Sequence, residues 1–146
     1  MSRSIEREIR IEATPEVVYQ VVSSPEHLRE WWPDEVDLEA VPGATGTVGF
    51  QQADGMKYES VTVIEADPPR RFAIRWTHEG STATAENSVL ATFDLVPQDG
   101  GTLLRFAETG FDEANRSDAQ YQDHTSGWNY FLPRLAAYVE RLVARP

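Results

Sequence analysis

Glu108 is the side chain whose place in the sequence best suits acid–base chemistry or recognition of a polar group. Leu104, Phe106 and Glu108 fall on the same side of an alternating strand, so the carboxyl group should face the interior near the strand's end. A carboxylate in such a position needs hydrogen-bond donors, and either His124 or Tyr121 can supply one.

His124 lies four residues before Trp128, on the same stripe of an expected helix. We therefore predict that Glu108 and His124 meet at one end of a cavity, as polar anchors for a ligand or as an acid/base pair. The alternative is that Glu108 is solvated at the mouth of the cavity and that the backbone satisfies His124.

A set of aromatic side chains is expected to surround the same interior space, because strand and helix periodicity places each of them on an inward face or at the end of an element. These residues are Trp32, Trp76, Phe93, Phe106 and Trp128. With Glu108 and His124 they form the predicted binding site for a hydrophobic or aromatic small molecule. The alternative is that the rings fill the core completely.

The sequence shows none of the patterns typical of metal, cofactor or nucleophilic chemistry. It has no cysteine, which excludes disulfides and thiolate ligands. His27, His78 and His124 have no partners at ligand spacing, and no serine lies in a nucleophile-elbow pattern. We predict no catalytic residue, no metal and no cofactor, and a binding protein is favoured over an enzyme.

The net charge of −11, from 24 acidic against 13 basic residues, argues against binding to nucleic acid or to anionic membranes. The sequence lacks a signal segment and any apolar run of membrane-spanning length. A cytoplasmic protein is therefore expected, and 146 residues are most simply a single domain covering 1–146.

The elements that must position these residues begin with a strand and two short helices. Residues 4–12 alternate apolar and polar side chains, as a half-buried strand does. Thr14-Pro15-Glu16 and Ser24-Pro25-Glu26 each combine a capping residue, a proline and an acid, which is typical of a helix start. Further strands are expected at 35–41, 46–52, 57–65, 71–77, 87–96 and 102–109.

One long amphipathic helix is expected to close the chain, beginning with a capping box of Ser117 and Gln120. Its apolar stripe consists of Tyr121, Trp128, Phe131, Leu132, Leu135, Val139 and Leu142. Pro133 predicts a kink near residues 129–133. Gly127 costs about 1 kcal/mol relative to alanine within a helix. Three explanations are open for a glycine here: close approach to a ligand, room for a moving helix, or tight packing against a strand or the two short helices.

The predicted fold is α+β, a helix-grip arrangement of an antiparallel sheet with about six to seven strands curved around the long C-terminal helix. Two short helices follow the first strand.

Four blocks carry a family resemblance in the same order: TPEVVYQVVSSPEHLREWW, YESVTVIEADPPRRFAIRW, GGTLLRFAETGF and SGWNYFLPRLAAYVERL. Together they resemble the bacterial relatives of the activator of the heat-shock protein 90 ATPase, within the START-like or SRPBCC superfamily.

This resemblance implies a helix-grip fold with a cavity between the long helix and the sheet, but it leaves the activity open. The favoured function is binding of a hydrophobic small molecule. A co-chaperone-like module with a chaperone partner, or a cyclase- or hydrolase-type enzyme using the same cavity, are the alternatives. The expected assembly is a monomer or a weak homodimer, since an exposed edge strand can pair.

Overall fold

The computed structural model describes residues 3–144, which form one antiparallel sheet and three helices. The strands are β1 (Ile5–Ile11), β2 (Glu35–Asp37), β3 (Thr45–Gln52), β4 (Gly55–Asp67), β5 (Arg71–His78), β6 (Val89–Gln98) and β7 (Gly101–Thr109). The helices are α1 (Pro15–Ser23), α2 (Pro25–Trp31) and α3 (Asp118–Ala144). The predicted α+β helix-grip architecture is confirmed.

The seven strands are ordered β1-β7-β6-β5-β4-β3-β2, and every neighbouring pair is antiparallel. From β2 to β7 each strand therefore pairs with the next one along the chain, as hairpin connections favour. β1 instead pairs with β7, which places Ile5 opposite Glu108. On the other side of β7, Glu108 lies opposite Ala91 of β6.

β2 is shorter than the expected strand at 35–41, so the prediction was wrong for residues 38–41. The chain leaves the sheet after Asp37, where the backbone of β3 comes very close. A Cβ atom on Gly46 would lie 1.9 Å from the carbonyl oxygen of Asp37. Only glycine permits this approach.

Two of the three predicted helix starts are capped as expected. The Val17 amide donates to Thr14 Oγ1 at the start of α1. The backbone N–H of Gln120 donates to Ser117 Oγ, and the backbone N–H of Ser117 donates to Gln120 Oε1. These two bonds complete the capping box of α3. Ser24 precedes α2 as expected, but its hydroxyl makes no capping bond and instead donates to Gln20 Oε1.

α3 packs its apolar stripe into the core, where Trp128, Leu132, Leu135 and Val139 are buried. Tyr121, Phe131 and Leu142 pack partly buried at the edges of the same stripe. The helix is continuous through Pro133, and the kink there stays a prediction. None of the helices within residues 3–144 combines the length and apolar character needed to cross a membrane.

The capping box gives a direct test of how α3 begins. Replacing Ser117 with alanine removes the hydroxyl that accepts from the Gln120 amide, so we expect the free energy of unfolding to fall by about 1 kcal/mol. Urea denaturation measures this change. Ser126→Ala is the matched control: Ser126 is exposed within α3, where alanine is the better helix former. An equal loss in both variants would contradict the assigned cap.

Candidate functional site

Glu108 is completely buried, with 0% of its surface exposed, and both of its carboxylate oxygens accept hydrogen bonds. The indole Nε1–H of Trp76 donates to Oε2 at 2.7 Å, and that of Trp128 donates to Oε1 at 2.9 Å. His124 Nδ1 lies 2.7 Å from Oε1. The carboxylate therefore has three nitrogen partners and no lysine or arginine among them.

These partners come from two other elements, β5 and α3. Trp76 is near the end of β5, whereas His124 and Trp128 are four residues apart on α3 and so point in similar directions. An indole nitrogen can only donate, so the carboxylate must act as the acceptor in both tryptophan bonds. Because a carboxylate oxygen accepts, we assign a hydrogen to Nδ1 of His124, which makes it the third donor.

His124 is held in one orientation by rings as well as by Glu108. The Trp76 ring lies against it at a tilt of 40°, with the ring centroids 4.9 Å apart, and Phe111 meets it edge-on at 5.4 Å. Its side chain is nevertheless 22% exposed. His124 is thus the one partner of Glu108 that reaches from the core to the protein surface.

An apolar pocket of about 120 Å³ lies beside His124, between α3 and the sheet. It is lined by Trp32, Phe50, Trp76, Asp123, His124, Gly127, Trp128 and Phe131. An apolar cavity of about 150 Å³ can hold a benzene molecule. This pocket is somewhat smaller, so it has room for at most one aromatic ring or a group of similar size.

A second, polar pocket of about 100 Å³ shares Trp76, Asp123 and His124 with the first. Its other lining residues are Lys57, Glu59, Thr77, His78, Val89, Arg116 and Gln120. Arg116 links the residues at the rim of this pocket, because its guanidinium group donates to Thr77 Oγ1, to the carbonyl oxygen of Asn87 and to His78 Nε2. The two pockets thus place an apolar wall and a charged wall on either side of His124.

Glu59 is the most buried carboxyl group in the polar pocket, with 16% of its side chain exposed. Burial raises the pKa of Glu59, because water solvates the charged form better than the pocket does. Lys57, 3.6 Å away, and the nearby His124 and His78 oppose this shift but do not cancel it. The pocket therefore holds one carboxyl group that keeps its proton to a higher pH than usual.

Five of the seven predicted site residues lie together. Trp32, Trp76, His124 and Trp128 line the apolar pocket, and Glu108 lies directly behind it. The predicted contact between Glu108 and His124 is present, and the alternative of a solvated Glu108 is wrong for this structure.

Phe93 and Phe106 line neither of these two pockets. Both are buried, at 1% and 2% exposure, and they pack against each other with centroids 5.2 Å apart. Phe106 also contacts Trp128 at 4.4 Å. In this part of the core the rings fill the space between helix and sheet, and the open volume is at the edge.

Sequence reasoning missed Phe50, Phe131, Glu59 and Arg116 as pocket residues. Phe131 belonged to the predicted helical stripe, and Phe50 lies two residues after the buried Val48 in β3, so alternation offered a signal for both. Glu59 and Arg116 had no such signal, because a charged residue on a mostly polar strand or turn is usually solvated.

Gly127 lines the apolar pocket, and its surroundings exclude one of the three explanations for a glycine at this position. A Cβ atom there would meet only the Phe131 side chain, at 3.9 Å, which is ordinary contact. Tight packing against a strand or the helical pair is therefore wrong as the reason for glycine. The helix accepts a residue of low helix propensity at the position where a side chain would enter the pocket.

Within residues 3–144, no group of three or more His, Cys, Asp or Glu side chains is arranged to hold a metal ion. The groups available to a ligand are instead the indole and phenyl rings, the His124 imidazole and the charged rim. Such a set suits recognition of a small molecule with an apolar body and one polar group.

The sequence pattern of one family, described as "Activator of Hsp90 ATPase homolog 1-like protein", matches residues 12–140. No functionally curated protein matches the sequence well enough to count as a relative. The match leaves out only short segments at either end of the chain.

Several solved structures share the fold. A protein from Mesorhizobium loti is similar with 22% identity and a TM-score of 0.78, over 95% of this chain and 98% of that one. A protein from Chromobacterium violaceum has 23% identity and a TM-score of 0.77, over 94% and 97%. The Aha1 dimer from Colwellia psychrerythraea has 24% identity and a TM-score of 0.73, over 94% and 96%. At these identities the likeness concerns the fold alone.

The buried network predicts a large effect for Glu108→Gln. The amide offers a single acceptor oxygen to three nitrogen partners, and hydrogen bonds to charged groups are worth about 1.5–3 kcal/mol. We expect the free energy of unfolding to fall by at least that amount in urea denaturation. Glu113→Gln removes the same formal charge at an exposed position and should change stability by less than about 0.5 kcal/mol.

The raised pKa of Glu59 predicts a pH-dependent effect for Glu59→Gln. The folded protein holds this proton more tightly than the unfolded chain does. The protonated Glu59 therefore contributes to the free energy of unfolding below its ordinary pKa of 4.5, and this contribution is lost as pH rises through the raised pKa of the folded state. The variant should therefore gain stability relative to wild type on going from about pH 4 to about pH 7. Urea denaturation at both pH values tests this, and a pH-independent difference would contradict it.

Proposed function

The chain belongs to the activator of Hsp90 ATPase homolog 1-like family, and we propose that it is a single cytoplasmic helix-grip domain that binds a small hydrophobic or aromatic molecule. The binding site is the apolar pocket between α3 and the edge of β3–β5, with its polar neighbour beside His124. The single observation that carries this proposal is the apolar pocket itself, with tryptophan and phenylalanine rings on most of its walls.

The tryptophan rings of the pocket wall are held in place by one another and by the buried Glu108. Trp32 lies 5.1 Å from Trp128 and 5.4 Å from Trp76, and both of the latter rings are bonded to Glu108. A ligand would thus meet a preorganised wall, which lowers the entropic cost of binding. The pocket is small, so the proposed ligand places one ring, rather than a long lipid chain, in it.

Gly127 supports the same proposal because it keeps the pocket free of a side chain. A residue at this position would lean toward the preceding turn of α3, where Asp123 and His124 lie. Glycine here costs helix stability without any compensating close contact. Open volume at the pocket is the role that we propose for this glycine.

Nitrobenzene binding to wild type and to two Gly127 variants tests the proposal. Gly127→Ala should raise the free energy of unfolding by about 1 kcal/mol through helix propensity. Gly127→Leu should be at least as stable as the glycine form while filling the pocket, because leucine is also a strong helix former. In wild type, nitrobenzene at about a hundred times its dissociation constant should add about 2.7 kcal/mol to the free energy of unfolding.

The leucine variant should lose this stabilisation, although its fold is intact. Urea denaturation with and without nitrobenzene measures both quantities in one experiment. The absence of any stabilisation in wild type would argue against the proposed site, and equal stabilisation of wild type and Gly127→Leu would place binding elsewhere.

A protein partner is the alternative use of this fold. The family is described by its likeness to an activator of the Hsp90 ATPase, and the relative from Colwellia psychrerythraea is described as a dimer. For this chain a monomer or weak homodimer is proposed, with β1 and β2 at the two edges of the sheet. If nitrobenzene and similar probes fail to bind, a chaperone partner becomes the favoured proposal.

A further inference from the structure

We infer that His124 is the proton acceptor for the ligand and that the ligand is a small planar weak acid, such as a phenol. Its ring would occupy the apolar pocket, and its hydroxyl group would meet His124 Nε2. This inference deepens the proposed small-molecule binding and rests on it.

The orientation of the imidazole is the first argument. Nδ1 is held by Glu108, while Trp76 and Phe111 hold the ring itself. Within the described part of the chain, the ring's hydrogen bonds involve Nδ1 alone. Nε2 is on the opposite edge of the ring, and His124 lines both pockets. When the imidazole is neutral and Nδ1 carries its hydrogen, Nε2 is its acceptor nitrogen.

The buried carboxylate behind the imidazole is the second argument. When a hydroxyl group gives its proton to Nε2, the O–H bond breaks and its electron pair stays on the oxygen. The products are a phenolate and an imidazolium ion, and no further reactant is needed. The Glu108 carboxylate, 2.7 Å from Nδ1, stabilises the positive ring by direct charge interaction. Glu108 is therefore a positioning residue, because it acts on the ligand only through His124.

The charges around His124 favour a weak acid over a ligand that is already an anion. Asp123 on α3, Glu59 on β4 and Glu108 on β7 are acidic groups near the imidazole. They oppose entry of a full negative charge into an apolar pocket, where such a charge is poorly solvated. A phenol enters without charge and becomes an anion only on contact with Nε2.

The basic side chains of the polar pocket then face the new phenolate. Lys57 on β4, His78 on β5 and Arg116 before α3 line the same pocket as His124. Lys57 is 58% exposed and only 3.6 Å from Glu59, so it compensates that carboxylate in part. Arg116 is bound to the rim through Thr77, His78 and Asn87, which fixes a permanent positive charge at this side.

The test compares 4-nitrophenol with nitrobenzene, which lacks the hydroxyl group. Ionisation of 4-nitrophenol changes its visible absorbance, so the bound proton state can be read directly. At a pH where free 4-nitrophenol is mostly protonated, wild-type protein should increase the phenolate absorbance band. His124→Gln should abolish this increase and weaken 4-nitrophenol binding about tenfold, while nitrobenzene affinity stays within about threefold.

His27→Gln is the matched control. This imidazole also uses Nδ1, 2.7 Å from the Tyr138 hydroxyl, but it lines neither pocket. The control should retain the phenolate band in full. Glu108→Gln, checked for its fold by circular dichroism, should lose the band as His124→Gln does, because an uncharged amide does not stabilise the imidazolium ion.

The outcomes separate this inference from the proposed function. Failure of nitrobenzene to bind wild type would overturn both. Nitrobenzene binding combined with 4-nitrophenol that stays protonated would overturn the inference alone. An equally strong phenolate band in wild type and His124→Gln would also overturn it, and loss of the band in Gly127→Leu would assign the signal to the apolar pocket.

Discussion

The completely buried carboxylate of Glu108 is the constraint on which this structure depends. Removing such a group from water is costly unless hydrogen-bond donors replace the solvent. Here the replacements are two indole N–H groups and one imidazole nitrogen, supplied by β5 and α3. The sheet and the long helix must therefore keep one relative position, because any other position would leave the carboxylate or the indoles without partners. Buried polar networks of this kind specify a unique arrangement when every member is satisfied.

The same network decides where open space can exist. Trp128 is bonded to Glu108 and packs on Phe106, and Phe93 packs beneath both, so the centre of the interface is solid. Space remains at the edges of this interface, where α3 diverges from β3–β5 around Trp76 and, on its other side, beside Ile9 of β1. Around His124 the interface thus has two small pockets at its edge. Their size limits the proposed ligand more strictly than the fold does.

Much of the fold followed from local patterns in the sequence. The alternation of Leu104, Phe106 and Glu108, together with the stripe that holds His124 and Trp128, was enough to predict that Glu108 meets His124. The capping box at Ser117 marked the start of α3 correctly. The early end of β2 could not be predicted, because it depends on how closely Gly46 approaches Asp37 in space. No local pattern reports such an approach.

The sequence by itself determined the strand and helix order, the inward faces and the family, because periodicity and capping are properties of neighbouring residues. Only the tertiary structure decided that Trp76 and Trp128 both donate to Glu108, that Phe93 and Phe106 fill the core, and that Glu59 shares a pocket with His124. These contacts join residues far apart in the chain. They depend on strand register and on the angle at which α3 crosses the sheet, neither of which is encoded in any single segment.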